Sequence, residues 1–182
     1  ITPNGHADPP ANPTRTGATF QAWYKDANDN SLWNFATDAV TAPTTLYAKW
    51  TINYYVIPFD SQGGSAVASQ NVSPYGRLTK PTNPTKTGHI FAGWYTEAGC
   101  VNAWNFGTAV TSQITLYAKW TKETYGVTFD SRGGSAVAYQ NILYDTKVTR
   151  PADPVYSGFI FAGWYKEAAC INPWNFSADT VT

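Results

Sequence analysis

The chain writes one sixteen-residue phrase three times: FQAWYKDANDNSLWNF at Phe20–Phe35, FAGWYTEAGCVNAWNF at Phe91–Phe106 and FAGWYKEAACINPWNF at Phe161–Phe176. Each copy holds two tryptophans ten residues apart. Such a period constrains the architecture more than any local propensity, because each copy must be one small structural unit. Other phrases keep the same step. FDSQGGSAVASQN at Phe59 returns as FDSRGGSAVAYQN at Phe129, and TLYAKWT at Thr45 returns at Thr115, both 70 residues on. Ungapped comparison of 53–112 with 123–182 finds 29 identities in 60 positions, which is duplication rather than chance.

The frame that respects the linkers is 1–51, 52–121 and 122–182. The first is a partial repeat, the second is complete, and the third is partial and lacks the last strand. Ile1 aligns with Val72, and Thr182 aligns with Thr41. A chain that opens ITPNG and contains no methionine is expected to be a piece of a longer polypeptide.

Within the unit, YGVTFDS (125–131) alternates as a strand, with Val127 and Phe129 on one face. QGG or RGG follows as a turn that needs positive φ, and AVAYQNI reads as the returning strand. The prolines of KPTNPTKTG forbid a regular helix. HIFAGWYT is a third strand and TLYAKWT the last. The residues between those two are too few for more than one helical turn. Pro58 removes a ladder donor and predicts an edge or bulge there.

All eight tryptophans fall at three repeat positions. A unit of about 70 residues without a disulfide must bury large side chains to be stable. Trp33, Trp104, Trp174, Trp50 and Trp120, with Phe35, Phe106 and Phe176, are therefore assigned to the core. Trp23, Trp94 and Trp164 are the candidate binding face. Period-two alternation puts Trp94 beside Ile90 and Ala92, and it puts Trp23 beside Thr19 and Gln21, so that face tolerates polar neighbours.

Other chemistry is thin. Acidic and basic residues balance at 12 each, so no basic stripe exists for nucleic acid. No apolar run approaches the roughly 18 residues of a membrane span. His6 and His89 share no repeat position and have no second ligand nearby in sequence, so neither metal binding nor general base work is expected. Cys100 and Cys170 occupy the same repeat position and read as small buried thiols, too far apart for a disulfide. Asp60 and Asp130 offer one carboxylate per loop, short of a calcium site, and are expected to cap the following turn. Lys49 and Lys119 have no identifiable carboxylate partner for an isopeptide bond. No enzyme and no cofactor emerge.

Taken together, VTFDSxGGSAV, the two-proline loop ending in TG, FAGWYTEAxC, WNF and TLYAKWT resemble the internalin-type B repeat, also called the Listeria–Bacteroides repeat. The resemblance covers essentially the whole chain. It implies a mainly β, small α+β fold of tandem β-grasp-like (ubiquitin-like) units with little helix, in which the first and last strands lie side by side. It implies no catalytic residues, and it implies an extracellular place at the bacterial cell surface or in the cell wall. Departures are the partial end repeats, Asp29 where the other copies have cysteine, and IPFD for VTFD in the second unit.

The leading expectation is a non-enzymatic stalk or spacer of an adhesin- or internalin-like protein. The rival is a module that binds a host or envelope protein or glycan through the repeated aromatic faces. A further expectation is end-to-end self-association through the unpaired strands of the first and third repeats.

Overall fold

The computed structural model describes residues 5–182. Ile1–Asn4, which the repeat alignment matches to the end of the second strand and the turn beyond, lie outside the described residues. Among the described residues there are eight strands and no helix. They are β1 (Ala18–Tyr24), β2 (Tyr47–Ile52), β3 (Tyr55–Asp60), β4 (Val67–Val72), β5 (His89–Tyr95), β6 (Leu116–Lys122), β7 (Thr124–Val127) and β8 (Gln140–Leu143). They form two two-stranded sheets, β1-β2 and β7-β8, and one four-stranded sheet ordered β4-β3-β6-β5. The first and last strands of the complete repeat are thus sheet neighbours, as the resemblance implies.

Two compact units divide the chain. One holds the described part of Ile1–Phe59, together with Ala68–Pro81 and Trp104–Leu116. It buries Trp33, Ile57, Phe59, Val72, Leu78, Val110 and Leu116, with Ile57, Val110 and Leu116 fully enclosed. Full burial of an aliphatic side chain of this size contributes about 1.5–3 kcal/mol. Val110 is also a backbone anchor, because its carbonyl accepts from the Tyr75 N–H and its N–H donates to the Gly76 carbonyl, both at 2.8 Å. The Gln70 amide substitutes for ladder bonds: it donates to the Thr79 carbonyl at 2.7 Å and accepts from the Thr79 N–H at 2.9 Å.

The other unit holds Asp60–Val67, Thr82–Ala103 and Tyr117–Thr182. Trp94, Ala118, Ile142 and Val148 are buried in it. The same two devices recur here. Val181 exchanges backbone bonds with Asp145 and Thr146, and the Gln140 amide clasps Thr149.

Period-two alternation fails at one place in each paired copy of the third strand. In β5 the register slips between Phe91 and Gly93, and in β1 it slips between Phe20 and Ala22. A bulge inserts one residue and moves everything after it to the other face. Trp94 therefore pairs with Ala118 and meets the Phe91 ring at 5.4 Å, while Ile90 and Ala92 stay exposed. The sequence expectation that Trp94 shares a face with Ile90 and Ala92 is corrected by this bulge. In the first repeat Trp23 likewise meets Phe20, at 5.5 Å, while Thr19 and Gln21 are exposed.

Two smaller expectations also change. Pro58 does not mark an edge: β3 lies between β4 and β6, and it runs through Pro58 with the ring exposed at the loss of one donor. The first strand of the third repeat, expected over 125–131, ends as β7 at Val127. Among the described residues β7 pairs only with β8, and a strand persists only where a neighbour takes up its backbone groups.

Candidate functional site

The repeated phrase is a closed loop built by the backbone. In the first and third copies the N–H of the second tryptophan donates to the carbonyl of the first, Trp33 to Trp23 and Trp174 to Trp164, at 2.8 Å each. An isolated bridge stands beside this closure in every copy: Tyr24 with Leu32, Tyr95 with Ala103, and Tyr165 with Pro173. The ten-residue spacing is the length of that loop.

A carboxylate clips the loop from within. Glu97 Oε1 accepts the N–H groups of Val101 and Asn102 at 2.6 Å each, and Glu167 Oε1 accepts those of Ile171 and Asn172 at 2.8 and 2.7 Å. Asp26 does the same work in the first repeat for Asn28, Asn30 and Ser31. The Thr96 hydroxyl and the N–H donors hold the Glu97 carboxyl down at about 2, from an ordinary value of 4.5. Backbone donation by Asn172 lowers Glu167 in the same sense. Sequence reasoning missed this clip, although an acid at one aligned position in all three copies was its visible signal.

Left-handed backbone explains the cysteines. Asp29, Cys100 and Cys170 have φ of 58°, 52° and 54°. Aspartate tolerates that region better than most residues, which accounts for its exchange with cysteine between copies. Cys100 is half-buried and Cys170 exposed, so the expectation of buried thiols is corrected: the position lies in a surface turn that covers it only in part. Both thiols are free.

The turns behave as expected elsewhere. Asp60 and Asp130 each accept the N–H two residues on, at 2.9 Å, and Gln62, Gly63, Arg132 and Gly133 all have positive φ. The asparagine of each WNF caps the turn after it, accepting from Ala36, Gly107 or Ser177 at 2.8–3.0 Å.

The aromatic positions divide as follows. Trp94 is 3% exposed and Trp33 is 7% exposed. Trp23, Trp164, Trp104, Trp174, Trp50 and Trp120 are half-buried, as are Phe35, Phe106 and Phe176. Phe161 meets Trp164 at 5.2 Å, Trp33 meets Phe35 at 6.2 Å, and Trp174 meets Phe176 at 6.4 Å. Lys25 lies over Trp33 and pairs with Asp38 at 2.8 Å; Lys166 lies over Trp174 and pairs with Asp179 at 3.0 Å. Backbone donation from Asn34 and Asn175, followed by these lysines, lowers both aspartates. The indole N–H groups of Trp23, Trp33, Trp104, Trp164 and Trp174 are closed to solvent and have no acceptor among the described residues.

Reactive groups do not converge. His6 Nδ1 bonds the Asp38 carbonyl at 3.0 Å, and His89 Nδ1 bonds the Thr87 carbonyl at 2.8 Å. Lys49 lies over Tyr24; Lys119 lies over Tyr95 and donates to the Cys100 carbonyl at 3.2 Å. Among the described residues no group of three or more His, Cys, Asp or Glu could hold a metal ion. No helix of the described residues is long and apolar enough to cross a membrane. Asp26, Asp38, Asp60, Glu97, Asp130, Glu167 and Asp179 accept backbone N–H groups, which makes these carboxylates structural clips.

Comparison with known proteins bears on the repeats themselves. The family model of the Listeria–Bacteroides repeat domain fits residues 1–49, 55–119 and 125–182. Two proteins of Evansella cellulosilytica whose names describe membrane proteins, one of them Gly-rich, are 37% and 38% identical over 174 and 173 residues. Those alignments cover 95% and 94% of this chain and 26% and 20% of the relatives. Internalin H of Listeria monocytogenes is 33% identical over 167 residues, which is 83% of this chain and 30% of that protein. The chain thus spans between a fifth and a third of the curated relatives it matches. With three successive family matches over nearly its whole length, the chain belongs to the Listeria–Bacteroides repeat family.

Proposed function

We propose that this chain is a non-enzymatic spacer: a tandem-repeat stalk segment of an adhesin- or internalin-like protein, placed outside the cell at the bacterial surface or in the wall. The units of the stalk are the three repeats, 1–51, 52–121 and 122–182.

One observation carries this reading: the same joint is built twice. At the first junction the Asn53 N–H donates to the Gly17 carbonyl at 2.9 Å, and a Cβ on Gly17 would come within 2.4 Å of Pro74. At the second, the Glu123 N–H donates to the Gly88 carbonyl at 2.9 Å, and a Cβ on Gly88 would come within 2.1 Å of the Tyr144 ring. Each joint therefore locks the glycine of one repeat against a side chain of the next. Only two residues separate β2 from β3, and only one separates β6 from β7. A repeated, hydrogen-bonded joint with so short a connection suits a semi-rigid spacer better than a freely flexible linker.

Binding of a glycan or of a host or envelope protein through Trp23, Trp94 and Trp164 is the rival reading. It needs open indole faces or a reachable indole N–H. Trp94 is 3% exposed, and the N–H groups of Trp23 and Trp164 are closed to solvent. Spin labels placed on the exposed turns at each side of a junction test the spacer directly. Narrow distance distributions are expected, and distributions as broad as those of a flexible linker would refute it.

A further inference from the structure

In the complete repeat β3 and β6 are bonded neighbours within the sheet ordered β4-β3-β6-β5. Side chains fix how the two run. At one end the Tyr55 hydroxyl donates to the Thr111 carbonyl at 3.1 Å, and the Gln113 amide donates to the Val56 carbonyl. At the other end the Gln62 amide donates to the Ala118 carbonyl at 2.8 Å, and the Trp120 indole N–H donates to the Ser61 carbonyl at 2.7 Å. Chain order rises in step along both strands, so β3 and β6 are parallel. Between the two sets of bonds Ile57, Phe59, Leu116 and Ala118 are buried, which keeps water from that face of the pair and strengthens its hydrogen bonds.

The chain enters this pair at the start of β3 and leaves it at the end of β6, which are opposite ends of two parallel strands. Little slack intervenes on either side. Two residues join β2 to β3 and one joins β6 to β7, and the Asn53 and Glu123 N–H groups within these links are bonded to the Gly17 and Gly88 carbonyls. A pull carried along the chain therefore reaches the two strands directly and in opposite directions.

We propose that the complete repeat is a load-bearing module, in which the parallel β3–β6 pair resists tension along the chain. Tension that arrives through β2 and leaves through β7 slides β3 and β6 past each other along their length. The evenly spaced backbone bonds of a parallel pair, and the side-chain bonds at both its ends, are then strained together. A force that parted the same strands from one end would break those bonds in turn. Forced unfolding is governed by the unfolding rate rather than by equilibrium stability, so a small repeat of ordinary stability carries load by this geometry. The inference deepens the spacer reading and rests on it only for the direction of the load.

Single-molecule pulling on the 182-residue chain tests this, with handles clicked onto azide-bearing side chains introduced at Tyr54, Ser112 and Lys122, all exposed positions. Handles at 54 and 122 shear the pair, whereas handles at 54 and 112 part it from the Tyr55 end. Shearing is expected to give one rupture step at a force at least about twofold above that for parting, because the bonds share the load. Gln62→Ala removes the bond to Ala118 at the far end. It should lower the shearing force and leave the parting force unchanged, since parting begins at the other end. Equal forces in the two geometries, shearing in several small steps, or a Gln62→Ala chain whose two forces fall alike would each overturn the proposal. The spin-label distances read the joints and these forces read the repeat, so the spacer reading and the load-bearing pair fail separately.

Discussion

Gly88→Ala and Gly158→Ala form a matched pair that isolates the joint between repeats. Both glycines end the loop before the third strand, and both have left-handed backbone, with φ of 66° and 82°. An alanine at either site suffers the left-handed penalty of about 1–2 kcal/mol. Their surroundings differ. A Cβ on Gly88 would lie 2.1–2.3 Å from three atoms of the Tyr144 ring, whereas nothing lies within 4 Å of one on Gly158. Overpacking adds about 1–3 kcal/mol, so Gly88→Ala should cost roughly 2–5 kcal/mol and Gly158→Ala roughly 1–2. Because repeat proteins unfold locally, the clearest assay is native-state hydrogen exchange, with denaturant midpoints as a check. The Glu123 N–H, bonded to the Gly88 carbonyl, and the Tyr144 N–H, bonded to the Glu123 carbonyl, should lose protection in Gly88→Ala and keep it in Gly158→Ala. Equal cost at the two sites, with both amides still protected, would refute the idea that Tyr144 and Gly88 lock the joint.

Trp94→Ala, at 3% exposure, should lose about 3–5 kcal/mol, and half-buried Trp104→Ala should fall at or below the low end of that range, both read from chemical denaturation. The folded-state pKa of Glu97 lies below its ordinary value, so its stabilising effect is full above about 4.5 and is lost as pH falls towards about 2. Glu97→Gln should therefore lower the melting temperature at pH 6 and converge with the parent chain near pH 2; identical pH slopes would remove the clip from the account. Thiol titration of the native chain should label Cys170 quickly and Cys100 more slowly, since Cys170 is exposed while the Gln62 amide lies against the half-buried Cys100 sulfur. Cys100→Asn should be nearly neutral by thermal melting and Cys100→Val costly, because only the first tolerates φ near 52°.

Much of this protein follows from neighbours in sequence. The repeat frame, the positive-φ turn after FDS, the aspartate caps at Asp60 and Asp130 and the helix-free proline loop are all decided by steric and hydrogen-bonding rules that act over a few residues. The buried Leu116 and Ala118 were legible from simple alternation along β6. Other features depend on what lies across the sheet or in the next repeat. The bulge at Phe91–Gly93 arises only when β5 is paired with β6, and it turns Trp94 inward against the face that alternation assigns it. The Glu97 clip closes a loop four to five residues long, and the cysteine position within it takes left-handed backbone. Gly17 and Gly88 read as loop ends in sequence; only the tertiary structure brings Pro74 and Tyr144, more than fifty residues away, against them. Short-range sterics carry their own address in the chain. Register and packing are decided by the partner across the sheet or in the next repeat, which a few neighbouring residues cannot specify.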